Sequence, residues 1–199
     1  PQNLKAYEQG KLSKPVKPIC FYIDDAFPVE WKNAIKQGVE LWNKAFEQAG
    51  YQKTIEALDF PKNDHNFDAD DIAYSCIRYV PSTAEKVTSS FLANPQTGEI
   101  INASVFVPAN VGDQIYRWLF LGSAASDATM RTSHLPQDKF NQGLKYMVAC
   151  EVGRSLGLLD NIGASYSYPV DSLRNSTFTR ANNLAASIMA NTPFNYVAQ

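Results

Sequence analysis

At 199 residues, with 45% hydrophobic and 19% charged side chains, the chain has enough apolar surface to build one packed domain. Its net charge of −2 supplies no field to attract nucleic acid or an acidic membrane, and no apolar run approaches the roughly 20 residues of a membrane span. Three cysteines, Cys20, Cys76 and Cys150, are too few and too odd in number for a disulfide framework, so buried free thiols are expected and the compartment stays open.

Residues 1–17 are polar, with Gly10 and Pro15, and are expected to form an N-terminal arm or linker ahead of a single domain over 18–199. The apolar, aromatic run Pro18–Ile23 predicts a central strand. Val29–Ala49 places Trp31, Ile35, Val39, Trp42, Ala45, Phe46 and Ala49 on one helical face, with Pro28 before and Gly50 after it. Thr54–Phe60 predicts a second strand. The run Pro61–Asp71, with Asp64, Asp68, Asp70 and Asp71, lacks the spacing of a calcium loop and is expected to be a solvated acidic loop. Ile72–Val80 predicts a third strand, ended by Pro81. Val87–Ala93 and Glu99–Val107, joined by Asn94-Pro95-Gln96-Thr97-Gly98, predict a hairpin. Val111–Ala125 predicts a helix with Ile115, Trp118, Leu119 and Gly122 on its apolar side, followed by a polar link over Ser126–Pro136. The two histidines, His65 and His134, fall in polar loops without metal-ligand spacing.

The stretch Gln137–Asn161 repeats Phe140, Leu144, Met147, Val148, Val152, Leu156 and Leu158 at three- and four-residue steps, one buried face of a helix. Asp138 is expected to cap its start, and Gly157 to end it in the left-handed conformation. Residues 162–179 are expected to be irregular, and Arg180–Ala186 a short helix. Since the chain starts at Pro1 without a methionine and stops on the apolar run FNYVAQ, it is expected to be a fragment of a longer one.

Within that helix the residues Cys150-Glu151-x-x-Arg154-x-x-Gly157-x-x-Asp160 follow the frame H-E-x-x-H-x-x-G-x-x-H with every histidine replaced. The segment resembles the active-site helix of a metzincin. Together with SYPVDSLR at 167–174 and SIMANTPFNYVAQ at 187–199, it resembles a family of large zinc-dependent metalloproteinases of Bacteroides-type bacteria, and the likeness runs from KPICFYIDDAFP onward. The resemblance implies an α/β, metzincin-like zincin fold: a twisted, mostly parallel sheet of four to five strands, an antiparallel edge strand that lines the cleft and pairs with extended peptide, two long helices, and a Met-turn at Met189. It also implies zinc as the family's cofactor and export to the bacterial cell envelope or beyond.

The substitutions change that chemistry. A catalytic zinc takes three ligands with lone pairs, and Arg154 has five donors, no acceptor and a permanent charge. An ion pair of Arg154 with Asp160 or Glu151 is therefore expected in place of the metal. Without zinc, water keeps a pKa of ~15.7, and Glu151 becomes a relic of the general base. Cys150 is expected to be a small buried hydrophobe rather than a ligand or nucleophile. No metal or other cofactor is expected at Cys150, Arg154 and Asp160. The reading is a degenerate, non-catalytic metallopeptidase-like domain that binds peptide or protein through the old cleft. Two alternatives stay open: an active zinc metallopeptidase with Cys/Asp ligation, and a structural module of a larger surface protein. Nothing in the residues sets an oligomeric state.

Overall fold

A computed structural model describes residues 1–125, 127–192, 195 and 197. The N-terminal lead carries one short helix, α1 (Leu4–Glu8), whose first turn is capped by the Asn3 side chain accepting from the Ala6 N–H. The lead then folds back: Ser13, 3% exposed, exchanges backbone hydrogen bonds with Gly50 and Gln52, and the Tyr7 ring lies 5.2 Å from that of Tyr51.

Among the described residues five strands form one sheet. In chain order they are β1 (Ile19–Ile23), β2 (Ile55–Asp59), β3 (Ser75–Val80), β4 (Thr88–Ala93) and β5 (Ile100–Pro108). Their order across the sheet is β2-β1-β3-β5-β4, parallel throughout except for β4, which runs antiparallel at the edge. The alternation of β1 decides which face is covered by helices: Phe21 and Ile23 are fully buried on one side, while Cys20 and Tyr22 lie half-buried on the other. Phe67 and Tyr74, from the connection between β2 and β3, cover that second side with rings 5.2 and 5.5 Å from Tyr22.

The first side packs on α2 (Val29–Glu40) and on α5 (Gln137–Ser155). Ile35 and Val39 of α2, and Leu144, Val148 and Val152 of α5, join Phe21, Ile77, Val105 and Val107 in one core, all fully buried. Burying each such side chain stabilises the fold by roughly 1.5–3 kcal/mol before entropy is counted. The helix α4 (Val111–Ser123) lies alongside α5, anchored by buried Val111 and Ile115.

Several boundaries differ from the sequence expectation, each for a local reason. The helix predicted over 29–49 breaks at Leu41 and Trp42, and resumes as α3 (Asn43–Gln48). There the Trp42 indole N–H donates to the Ala149 carbonyl at 2.9 Å, and the Asn43 side chain bridges the backbone of Thr54 and Ile55, so tertiary bonds take over from helix periodicity. Ala45 and Ala49 are consequently exposed. The third strand starts at Ser75, because the Asp71 carboxylate accepts from the Ala73 N–H and turns residues 71–74. Asp138 is not the cap of α5: Pro136 holds that position with φ −58, its carbonyl accepting from Phe140, and Asp138 sits in the first turn, where a negative charge favours the helix dipole.

Beyond α5 the region expected to be irregular contains α6 (Val170–Arg174) and α7 (Ser176–Asn182). The Asn175 side chain accepts from the N–H groups of Thr177 and Phe178, which starts α7 ahead of the predicted 180–186. Of the three thiols, Cys76 and Cys150 are buried and Cys20 is only half-buried; all are free. Among the described residues no helix is long and apolar enough to cross a membrane. Ser126 of the polar link, and Pro193, Phe194, Tyr196, Ala198 and Gln199 of the C-terminal match, lie outside the described residues.

Candidate functional site: an arginine between two carboxylates

The C-terminal end of α5 positions the site. Gly157 adopts φ +87, so its N–H bonds back to the Arg154 carbonyl and the Leu158 N–H to that of Gly153, at 2.9 and 3.1 Å. This reversal at a left-handed glycine closes the helix and returns the chain across its last turn. Asp160 thereby arrives beside Arg154. The Asn161 N–H then donates to the Met189 carbonyl at 2.8 Å, tying the reversal to the turn Ile188–Ala190. Met189, 4% exposed, packs directly on α5 at Gly153, where an added Cβ would meet its sulfur at 2.6 Å and the Trp42 ring at 2.4 Å.

Arg154 forms the centre. Its Nη1 lies 2.5 Å from Glu151 Oε1, its Nη2 2.7 Å from Asp160 Oδ1, and its Nε donates to the same Asp160 oxygen at 3.2 Å. Burial works against the charge, but the hydrogen bonds to Asp160 and the nearby Glu151 carboxylate outweigh it and raise the guanidinium pKa further. Glu151 is 6% exposed, and its other oxygen accepts from the Ser89 hydroxyl at 2.7 Å. That bond joins the edge strand β4 to α5. Both oxygens of the residue at the general-base position of the motif are thus taken, one by a cation and one by a strand.

The flanking positions hold no ligand set for zinc. Burial pushes the Cys150 thiol up to about 11, and its S–H points at the Ile188 carbonyl, 3.5 Å away. Asp160 is committed to the guanidinium, and His65 and His134 are exposed in their loops, away from the cluster. Among the described residues no group of three or more His, Cys, Asp or Glu side chains is gathered to hold a metal ion. The residues present do not fit zinc: the middle ligand position carries a positive charge, which repels the ion it would have to hold.

A cleft pocket of about 360 Å³ opens beside the cluster, with Lys86, Gln114, Tyr146 and Asn191 in its wall. The structure brings Cys150, Glu151, Arg154, Gly157, Asp160 and Met189 together. It adds Ser89, which no spacing rule singles out: it is one of two adjacent serines in a strand, and only the strand's docking brings its hydroxyl to the helix.

Residues 132–199, which hold α5, the Arg154 cluster and the turn at Met189, match a family model described as Met-zincin. In the same comparisons no curated protein and no solved structure matches the chain. The five-stranded sheet with its antiparallel edge and the helices behind it agree with a zincin-like fold. Over residues 132–199, the C-terminal third of its length, the chain is similar to a metzincin-type family.

Proposed function

We propose that this chain is a metallopeptidase-like domain that has lost zinc and hydrolysis, and that its cleft now serves to bind extended peptide. The observation that carries the first part is the Arg154 guanidinium held between Glu151 and Asp160, at the position where the family's motif needs a ligand histidine. The ion pair supplies the positive charge between the two carboxylates, so no ion is needed to balance them. Met189 then acts as the Met-turn residue in a packing role, beneath a site without metal.

The second part rests on β4. It is an edge strand of six residues, Thr88-Ser89-Ser90-Phe91-Leu92-Ala93, with no charged residue and no proline, and Phe91 and Leu92 are each half exposed. Edges are usually guarded by charge, proline or cover. An unguarded edge with its backbone groups free is suited to strand addition by an extended partner. The role belongs at the bacterial cell envelope or outside it, on the strength of the sequence resemblance.

Incubation with unfolded casein and zinc tests both parts. The expected result is no cleavage, together with slowed amide exchange across residues 88–93. Cleavage abolished by a chelator overturns the first part, and unchanged exchange in β4 the second.

A further inference from the structure

The face of α5 away from the core has its own partner space. Lys139, Gly143 and Tyr146, spaced by four and three residues, line a cavity of about 720 Å³ that is bounded also by α4, the α2–α3 junction and residues 183–192. Its floor is apolar, built from Trp42, Ile115, Trp118 and Ile188. The volume lies within the ~300–1,000 Å³ of small-molecule sites.

The charge on its walls has one sign. Among the described residues lining the cavity, Lys44, Lys139 and Lys145 are basic and none is Asp or Glu. Among the described residues Lys139 has only a long 3.8 Å ion-pair contact, with Asp127, and Lys145 reaches a neutral amide, Gln37 Oε1, at 3.4 Å. No ion pair involves Lys44 among the described residues. The Tyr146 hydroxyl is shielded from water, with Cys150 and the Thr192 backbone as its polar neighbours among the described residues. Burial raises its pKa, so it stays a proton donor.

We infer that this cavity is a binding site for a small amphipathic anion: an apolar body of medium-chain acyl size in contact with the Trp42 and Trp118 rings, and a single carboxylate head met by the lysines. The site is separate from the Arg154 cluster, sharing only Trp118 and Tyr146 with the cleft pocket among the described residues. Ligand binding here requires neither zinc nor peptide.

Titration calorimetry on the intact chain with sodium decanoate, below its micelle concentration, tests the inference. Decanoate should bind saturably with one site per chain, decanol at least about tenfold more weakly, and decyltrimethylammonium not at all. Lys139→Gln with Lys145→Gln should weaken decanoate at least about tenfold. Ala45→Trp, at an exposed position on the cavity wall, should abolish binding by filling the space. Circular dichroism confirms folding, and the lysine pair carries the test if the tryptophan variant fails to fold. No saturable decanoate binding, equal binding of decanol, or an unaffected lysine variant overturns it.

Discussion

Removing the guanidinium by Arg154→Met should destabilise the domain in a way that only the loss of a buried charge partner explains. Glu151 is 6% exposed and would keep the hydrogen bond from Ser89 while losing Arg154, its only ion-pair partner among the described residues. Breaking a buried pair costs about 3–5 kcal/mol. The Arg154 side chain is 31% exposed and that of Asp160 49%, so water reaches the outer half of the cluster and screens it. The expected loss is therefore about 2–3 kcal/mol, most of it from the Glu151 side. With a urea slope of about 2 kcal/mol/M, the unfolding midpoint should fall by roughly 1 M. Adding Glu151→Gln to Arg154→Met removes the stranded charge and keeps the contact with Ser89. The double variant should recover about half of the loss or more. A fall of less than about 0.2 M for Arg154→Met, or a double variant no more stable than the single one, would show that Glu151 does not depend on the guanidinium for its burial.

Asp160→Asn, on the exposed side of the same guanidinium, should cost only about 0.5–1 kcal/mol by the same urea assay. Gly153→Ala should destabilise by about 1–3 kcal/mol despite alanine's better helix propensity, because the new methyl meets Trp42 and Met189; a stabilised variant would show that this packing is loose. Stability should also fall in alkali. Burial pushes the Cys76 and Cys150 thiols from 9.0 up to about 11, so the fold favours the neutral form. The stability this lends is complete below about pH 9 and is lost as pH rises through about 11. Replacing both residues by Ala should flatten that fall in urea midpoint.

Periodicity made much of this fold legible. The unbroken apolar and aromatic run Ile19–Ile23 marked a strand, the three- and four-residue steps from Phe140 to Leu156 record the buried face of α5, and the hairpin turn at 94–98 set the antiparallel edge. Gly157 marked the end of α5 because few other residues adopt its φ. Less legible were features decided by partners distant in sequence. The break after Glu40 depends on Ala149, 107 residues from Trp42, and Ser89 reaches Glu151 across 62 residues. Local propensity carries no trace of either. The arginine itself was the clearest sign at the site, since its chemistry excludes ligation whatever surrounds it. That it would bridge both carboxylates, rather than choose one, followed only from the chain reversal that brings Asp160 to the helix.

The most direct measurement is a zinc titration of the parent chain beside a variant with Cys150→His, Arg154→His and Asp160→His. The triple variant should bind a full equivalent of zinc and the parent none at this site. Stoichiometric zinc on the parent, lost when Cys150 or Asp160 is replaced, would contradict it.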